Sequence, residues 1–278
     1  MTMVWAKGSE GPVAATIDAH AAGVAHAAPA AGHGGGGGLN PLHQFEIHSI
    51  LDISIAGINV SFTNSALWMV IAAVVGYLLI ARGVGAGGLV PNRLQLVAET
   101  LYGTVADMVR DNVGSEGRKY FPFIFTLFMF LLIGNLLGMV PGSFTFTSHI
   151  AVTFALASVI FIAITVIGLV RHGAKFFTLF FPHGAPLATA PILIPIELIS
   201  YLSRPVSLSV RLFANMMVGH TLLKVIASFA IMLGVVGGIA PVALLVGITA
   251  LEFLVGALQA YVFTILTCIY LHDALHLH

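Results

Sequence analysis

The chain has 278 residues, of which 58% are hydrophobic and only 8% are charged, and its formal net charge is zero at pH 7. So few charges cannot cover the surface of a soluble domain of this length, and the composition therefore excludes a soluble globular protein. The neutral balance gives no indication of nucleic-acid binding. The single cysteine, Cys268, excludes an intrachain disulfide and a metal site built from cysteines.

The N-terminal region is polar and low in complexity. Residues 1–44 are rich in Ala, Gly and His, include the run Gly34–Gly38 and lack the continuous apolar core of a signal peptide. This composition predicts a disordered tail. Residues 45–63 alternate loosely between apolar and polar side chains, which indicates a segment at the membrane surface.

Three apolar stretches and one amphipathic stretch follow. Residues 64–82, 120–140 and 147–171 are apolar and long enough to cross a bilayer as helices. Residues 91–113 differ, because apolar side chains recur there at helical spacing while charged ones fall between them. This pattern predicts an amphipathic helix on the membrane surface. Its apolar positions are Leu94, Val97, Leu101, Val105 and Met108.

Beyond these stretches the chain stays apolar, but charged residues interrupt it. They are Glu197, Arg204, Arg211, Lys224 and Glu252. A turn signal at Gly237 and Pro241 divides the region into two predicted helices, 187–233 and 241–272. Both exceed the length of a perpendicular crossing, so strong tilt is expected. The predicted fold is an all-α integral membrane protein with an N-terminal transmembrane helix, an amphipathic surface helix, a transmembrane hairpin and two long tilted helices.

The basic residues predict the orientation of these helices. The connection over residues 82–119 contains five of them, the connection over 171–186 contains two, and the region before residue 64 contains only Lys7. Five crossings that start from an outer tail place both basic connections and the C-terminus inside. We therefore expect residues 64–278 to form a single membrane domain, with both N-terminal segments outside.

The charges within the long apolar region are candidates for function, because a charged side chain at the centre of a bilayer costs about 2.5–3.5 kcal/mol. Glu197, Arg204 and Arg211 repeat every seven residues and form one slowly drifting stripe on a helix. Asn215 lies close to that stripe. His220, nine residues beyond Arg211, points to the opposite face.

The last predicted helix carries a second polar face formed by Glu252 and Gln259. Glu252 and His220 can pair as acid and imidazole, and both exchange protons near neutral pH when buried. Arg211 cannot release its proton at accessible pH. The combination suggests two proton routes separated by a fixed cation, although a structural network of buried ion pairs would use the same residue types. Two long basic side chains can reach the lipid headgroups instead: Arg204 and Lys224.

Three segments of the chain carry a resemblance to a known family. The run over 196–216 reads IELISYLSRPVSLSVRLFANM, and the stretch over 258–266 reads LQAYVFTIL. The segment over 120–141 contains Gly-Asn-Leu-Leu-Gly at 134–138. Together they closely resemble the subunit a family of the F-type ATP synthases, over roughly residues 60–275.

The resemblance implies proton translocation through two offset half-channels against a ring of c subunits, the c-ring, coupled to ring rotation and ATP synthesis. It implies that Arg211 is the essential arginine of the family and that Gln259 faces it from the last helix. The other matched positions line the half-channels: Glu197 on the inner side, and Asn215, His220 and Glu252 on the outer side. The histidine precedes the acid, as in mitochondrial-type members, whereas some bacterial relatives have the reverse order.

The same resemblance implies the c-ring, b-type peripheral stalk subunits, protons and the lipid bilayer as partners of a non-catalytic subunit without cofactor or metal. Small and aliphatic side chains are expected to allow close approach to the ring: Ser207, Leu208, Ala214 and Val218. The form of the N-terminal tail favours a bacterial inner membrane, with the N-terminus periplasmic and the C-terminus cytoplasmic. The sequence contains no G-x-x-x-x-G-K loop, so no direct nucleotide binding is expected.

Two other classes of protein are compatible with intramembrane charges. A proton-coupled secondary transporter uses midplane charges and broken helices, but this chain shows no internal repeat. A non-conducting membrane anchor would not need so many charges. The prolines that could break a helix are Pro186, Pro191, Pro195 and Pro205. A C-terminal group has possible metal-ligand spacing but is interpreted as a polar tail at the inner surface: His272, Asp273, His276 and His278.

Overall fold

The computed structural model describes residues 49–51, 54–55, 58–59, 61–85, 92–140, 143–173, 175–176 and 190–276. The predicted disordered tail over residues 1–44 lies outside these residues. So do Pro186 and His278.

Two short antiparallel ladders precede the first described helix. Strand β1 (Ser49–Leu51) pairs with β4 (Phe62–Thr63), and β2 (Ser54–Ile55) pairs with β3 (Ile58–Asn59). No strand is predicted here from the sequence. The loose alternation of apolar and polar side chains over 45–63 was the available signal, because a strand turns successive side chains to opposite faces.

Helices α1 (Asn64–Gly85) and α2 (Arg93–Asn112) form a first layer. The side-chain oxygen of Asn92 accepts a hydrogen bond of 2.7 Å from the backbone N–H of Arg93 and caps α2. One face of α2 is buried while its charged face stays exposed, as expected for an amphipathic helix. The chain leaves α2 through Gly114, whose φ of 79° lies in the region that favours glycine.

Helices α3 (Phe121–Gly138) and α4 (Ile150–His172) follow, each preceded by a 3₁₀ turn, Ser115–Lys119 and Phe146–Ser148. Helix α3 is the centre of the bundle, since 56% of its apolar stretch is buried, against 22% in α4 and 17% in α1. Gly134 lets the second 3₁₀ turn approach α3 closely, because a Cβ there would overlap the ring of Phe146.

Two long helices complete the fold. Helix α5 (Ala190–Met232) has 43 residues and α7 (Ile239–Leu275) has 37, and the four-residue α6 (Gly234–Gly237) joins them. At 1.5 Å per residue they measure about 65 and 55 Å, roughly twice the thickness of the hydrocarbon core. Pro195 and Pro205 lie inside α5 without ending it, so they do not produce the broken helix that the transporter alternative requires.

Within the described part of the chain, five helices are long and apolar enough to cross a membrane by length and composition: α1, α3, α4, α5 and α7. The predicted class, an all-α integral membrane protein, is confirmed. Only 11% of the apolar stretches of α5 and α7 is buried within the chain. The large apolar side chains left uncovered include Ile199, Val218, Ile231, Val246 and Leu254. A surface of this size indicates contact with lipid or with another membrane protein.

An ion pair outside the apolar spans connects the first 3₁₀ turn to the end of α4. Arg171 Nη2 donates a hydrogen bond of 2.5 Å to Glu116 Oε1, and both side chains are partly exposed. This hydrogen bond is the main reason that the pKa of Glu116 lies below its ordinary value of 4.5. Arg171, one of the two basic residues that the sequence places over 171–186, is therefore engaged in this pair.

This ion pair predicts an acid-dependent stability. Because the pKa of Glu116 is lower in the folded than in the unfolded chain, the pair stabilises the fold above pH 4.5 and loses its effect as the pH falls through the folded pKa. We expect Glu116→Gln to lower the melting temperature of the detergent-solubilised chain slightly near neutral pH and to flatten its decline in acid. The control is Glu99→Gln, which removes an exposed carboxylate of α2 and should not flatten the decline of the melting temperature in acid. Equal acid profiles for wild type and Glu116→Gln would contradict the prediction.

Candidate functional site

Arg211 lies on the outer face of α5. Its side chain is exposed, whereas the next residue, Leu212, is fully buried in the bundle. Among the described residues no hydrogen bond or ion pair engages its guanidinium. The sequence placed Arg211 on a polar stripe, and the structure adds that this position of the stripe points away from the chain's own core.

The other two members of the stripe differ from Arg211. Glu197 is partly buried, and no described residue pairs with it. Arg204 Nη1 lies 3.4 Å from Asp273 Oδ2 of α7, and its guanidinium lies 5.4 Å from the ring centre of Tyr201 and 4.9 Å from that of Tyr270. Arg204 is therefore held between α5 and α7 by charge and cation–π contacts instead of extending freely to headgroups.

Asn215 and Gln259 form the central contact between α5 and α7. Asn215 Nδ2 donates a hydrogen bond of 2.9 Å to Gln259 Oε1. Gln259 is 3% exposed, and its own Nε2 has no hydrogen-bond partner in the described chain. Asn215 is one helical turn beyond Arg211, so the amide pair lies beside the exposed cation.

Glu252 is buried against the backbone of α5. Its side chain is 6% exposed, and its Oε1 occupies the space that a Cβ at Gly219 would need. Neither carboxylate oxygen has a hydrogen-bond partner among the described residues. A carboxylate buried in this way normally finds its partners in ordered water.

His220 follows Gly219 and therefore lies at the same helix crossing as Glu252. Its Nε2 is 3.0 Å from Thr145 Oγ1, in the segment before the second 3₁₀ turn. The direct acid–imidazole hydrogen bond suggested by the sequence is absent from the described contacts, because both oxygens of Glu252 lack a partner while Nε2 of His220 faces Thr145. The two groups therefore lie at the same helix crossing without a hydrogen bond between them among the described contacts.

Two residues at this site carry no role in the sequence analysis. Thr145 lies in a non-helical connection, where no periodicity could single it out. Asn135 of α3 is fully buried, and its Nδ2 donates a hydrogen bond of 3.1 Å to the backbone oxygen of Gly256. Only the placement of an amide within an apolar span signalled it.

Buried polar atoms without a protein partner concentrate around these residues. An unpaired buried polar group costs about 1–3 kcal/mol, so a group of them indicates a hydrated region. Six of the nine such atoms among the described residues lie here: Asn135 Oδ1, Thr147 Oγ1, His149 Nε2, Glu252 Oε1 and Oε2, and Gln259 Nε2. Imidazole, carboxylate and water together can pass protons from one group to the next.

Comparison with known proteins identifies the family. The family model of the ATP synthase A chain matches residues 65–272. The ATP synthase subunit a of Rhodospirillum rubrum is 62% identical over 239 residues, covering 86% of this chain and 99% of the relative. The corresponding subunit of Paramagnetospirillum magneticum is 56% identical over 245 residues, with coverage of 86% and 99%. That of Parvibaculum lavamentivorans is 53% identical over 249 residues, with coverage of 87% and 96%. These similarities confirm the resemblance, and the chain belongs to the family of ATP synthase subunit a.

Proposed function

We propose that this chain forms two offset proton half-channels against a c-ring and couples proton flow to ring rotation and ATP synthesis. The observation that carries the proposal is the separation of one unpaired cation from a buried titratable group. Arg211 faces outward, whereas Glu252 is buried and His220 is partly buried on the other side of α5. A static network of ion pairs would instead place a carboxylate next to Arg211.

The outer half-channel contains His220, Glu252 and Asn215. Protons from the outer side enter the hydrated region around Glu252 and pass to a carboxylate on a ring subunit near the Asn215–Gln259 pair. Imidazole and carboxyl groups suit this task because each can take up and release a proton. Gln259, which cannot titrate, supports the exit of this path by holding Asn215 in place.

Arg211 keeps the two half-channels apart. It cannot give up its proton, so it attracts the ionised ring carboxylate but cannot pass protons onward. Once protonated, the neutral carboxyl group rotates into lipid, where an ionised one would pay a large desolvation cost. After nearly a full turn it releases its proton to the inner half-channel near Glu197. The membrane potential supplies about 2.3 kcal/mol per proton for each 100 mV.

The ring-facing surface consists of the uncovered faces of α5 and α7. Ser207 and Val218 are exposed on α5 and can allow close approach of a ring helix, with Ala214 partly exposed beside them. Leu208 does not belong to this surface. It is 4% exposed and packs in the core of the chain.

The basic connections after α1 and after α4 suggest the cytoplasmic side of a bacterial inner membrane, with a periplasmic N-terminus and a cytoplasmic C-terminus. In this arrangement residues 1–44 form an outer tail, 45–63 an outer interfacial segment and 64–278 the membrane domain. The chain is non-catalytic and binds no nucleotide, and b-type stalk subunits hold it against the torque of the ring.

Copurification tests the proposed ring contact. When the tagged chain is purified from membranes that contain the whole synthase, we expect the c-ring to elute with it. Val218→Arg places a charge on the exposed face of α5 and should remove the ring. Val159→Arg is the matched control on α4, since the two valines are 64% and 62% exposed. Retention of the ring by Val218→Arg, or its loss in both variants, would exclude the assigned surface.

A further inference from the structure

The hydroxyl group of Thr145 lies between two partners. Its Oγ1 is 2.8 Å from the backbone oxygen of Gly138 at the end of α3 and 3.0 Å from Nε2 of His220. Thr145 is 5% exposed. This contact links the connection after α3 directly to the imidazole assigned to the outer half-channel.

Counting protons assigns the direction of both hydrogen bonds. A threonine hydroxyl has one proton to donate and two lone pairs, whereas a backbone carbonyl can only accept. The Thr145 proton therefore goes to Gly138, and the oxygen of Thr145 accepts from Nε2–H of His220. The neutral imidazole then carries its proton on Nε2 and its lone pair on Nδ1, since one ring nitrogen donates and the other accepts.

We propose that Thr145 is a positioning residue that fixes His220 as the Nε2–H tautomer, so that Nδ1 is the nitrogen that takes up and releases the translocated proton. The proposal rests on the proposed role of His220 in proton entry. It assigns Thr145 no contact with the proton itself.

The surroundings of Thr145 hold its hydroxyl in place. The backbone oxygen of Thr145 accepts hydrogen bonds from Ser148, 3.1 Å from the backbone N–H and 2.6 Å from the side-chain hydroxyl. Gly138 permits the approach, because a Cβ there would lie 2.7 Å from Thr145 Cγ2 and 2.8 Å from Oγ1. A hydroxyl fixed from two sides has a defined orientation, which a tautomer lock requires.

Among the described residues, three other titratable or charged groups lie on the elements that pack around this part of α5. Glu252 comes from α7, against Gly219, and His149 follows the second 3₁₀ turn. Lys224 lies one turn beyond His220 on α5 itself. A change at Thr145 alters none of these charges, so its effect on His220 can be measured at constant charge.

Nitrogen-15 NMR of histidine-labelled synthase in membranes tests the tautomer directly. His220→Gln assigns the signal by its disappearance. In the wild type we expect a neutral His220 with an unprotonated Nδ1, and a protonated Nδ1 would overturn the proposal without any variant at Thr145. Thr145→Val should lower the ratio of the Nε2–H to the Nδ1–H form by roughly 3- to 10-fold, the effect of one hydrogen bond. Thr145→Ser should keep the wild-type ratio.

Thr147→Val is the matched control, since Thr147 has a buried hydroxyl without a hydrogen-bond partner two residues away. It should leave the His220 signal unchanged. An unchanged ratio in Thr145→Val, or a higher share of the Nε2–H form, would overturn the proposal, because the hydroxyl would then be neutral toward the ring or donate to it. An equal change in Thr147→Val would also overturn it.

Proton flux separates this inference from the function on which it rests. We expect Thr145→Val to slow acid-driven ATP synthesis in vesicles and Thr145→Ser to restore it. If His220→Gln synthesises ATP at the wild-type rate, His220 is outside the proton path and the proposed function fails, even with the predicted tautomer present. If His220→Gln is inactive while Thr145→Val matches wild type in flux and spectrum, only the role of Thr145 fails.

Discussion

Arg211→Ala will abolish ATP synthesis driven by a proton gradient while the membrane sector still assembles and conducts protons passively. The expected loss is at least about 100-fold, the usual scale for removing a group that stabilises a developing charge by electrostatics. The reason is the position of Arg211, exposed on α5 with no partner in the described chain. In the proposed mechanism, removing it leaves no cation to attract the ionised ring carboxylate and no barrier between the half-channels. The measurement is acid-driven synthesis in reconstituted vesicles, beside passive proton uptake.

Arg211→Lys and Arg110→Ala serve as controls for this result. Lysine keeps the positive charge but loses the planar guanidinium, so passive leak should stay low even where synthesis falls. Arg110 is an exposed arginine of α2 that pairs with Asp107, and its replacement should change neither quantity. Wild-type synthesis by Arg211→Ala would show that Arg211 is dispensable for coupling. Membrane insertion of Arg211→Ala should improve, because an arginine at the centre of a membrane helix costs about 2.5–3.5 kcal/mol.

The sequence predicts the fold class because the crossing of a bilayer depends mainly on the length of an apolar segment, which can be read directly along the chain. Uninterrupted apolar length decides whether a segment spans, and α3 and α4 could be read from length alone. The role of α3 as the centre of the bundle could not be read. Its side chains are apolar all round, and a helix of that kind is equally suited to protein and to lipid neighbours.

The candidate site was predictable to the level of helix faces and no further. Spacing placed Arg211 and Glu197 on one stripe and turned His220 away from it. It could not say which side of α5 the remaining helices cover, because that depends on contacts far apart in the sequence. The hydrogen bond between Thr145 and His220 joins residues 75 positions apart, and a residue in an irregular connection has no periodic signal.

Glu252→Gln will slow proton entry from the outer side far more than it affects assembly. Glutamine has nearly the same shape, so the contact with Gly219 should persist, and neither oxygen of Glu252 has a protein hydrogen bond to lose in the described chain. What disappears is a group that can take up a proton. Removing a positioned proton-transfer group typically costs about 100-fold or more in rate, and we expect synthesis to fall on that scale.

Two variants show whether the loss comes from proton transfer or from packing. Glu252→Asp keeps the carboxyl group but draws it back from Gly219, so it should retain more synthesis than Glu252→Gln. Gly219→Ala keeps the carboxyl group and fills its space, since the new Cβ would overlap Oε1, so it should disturb both assembly and flux. If Glu252→Gln conducts protons normally in vesicles, Glu252 is structural. In that case other interactions must offset the desolvation cost of the buried carboxylate. His220 would then be the only titratable group assigned to the outer path.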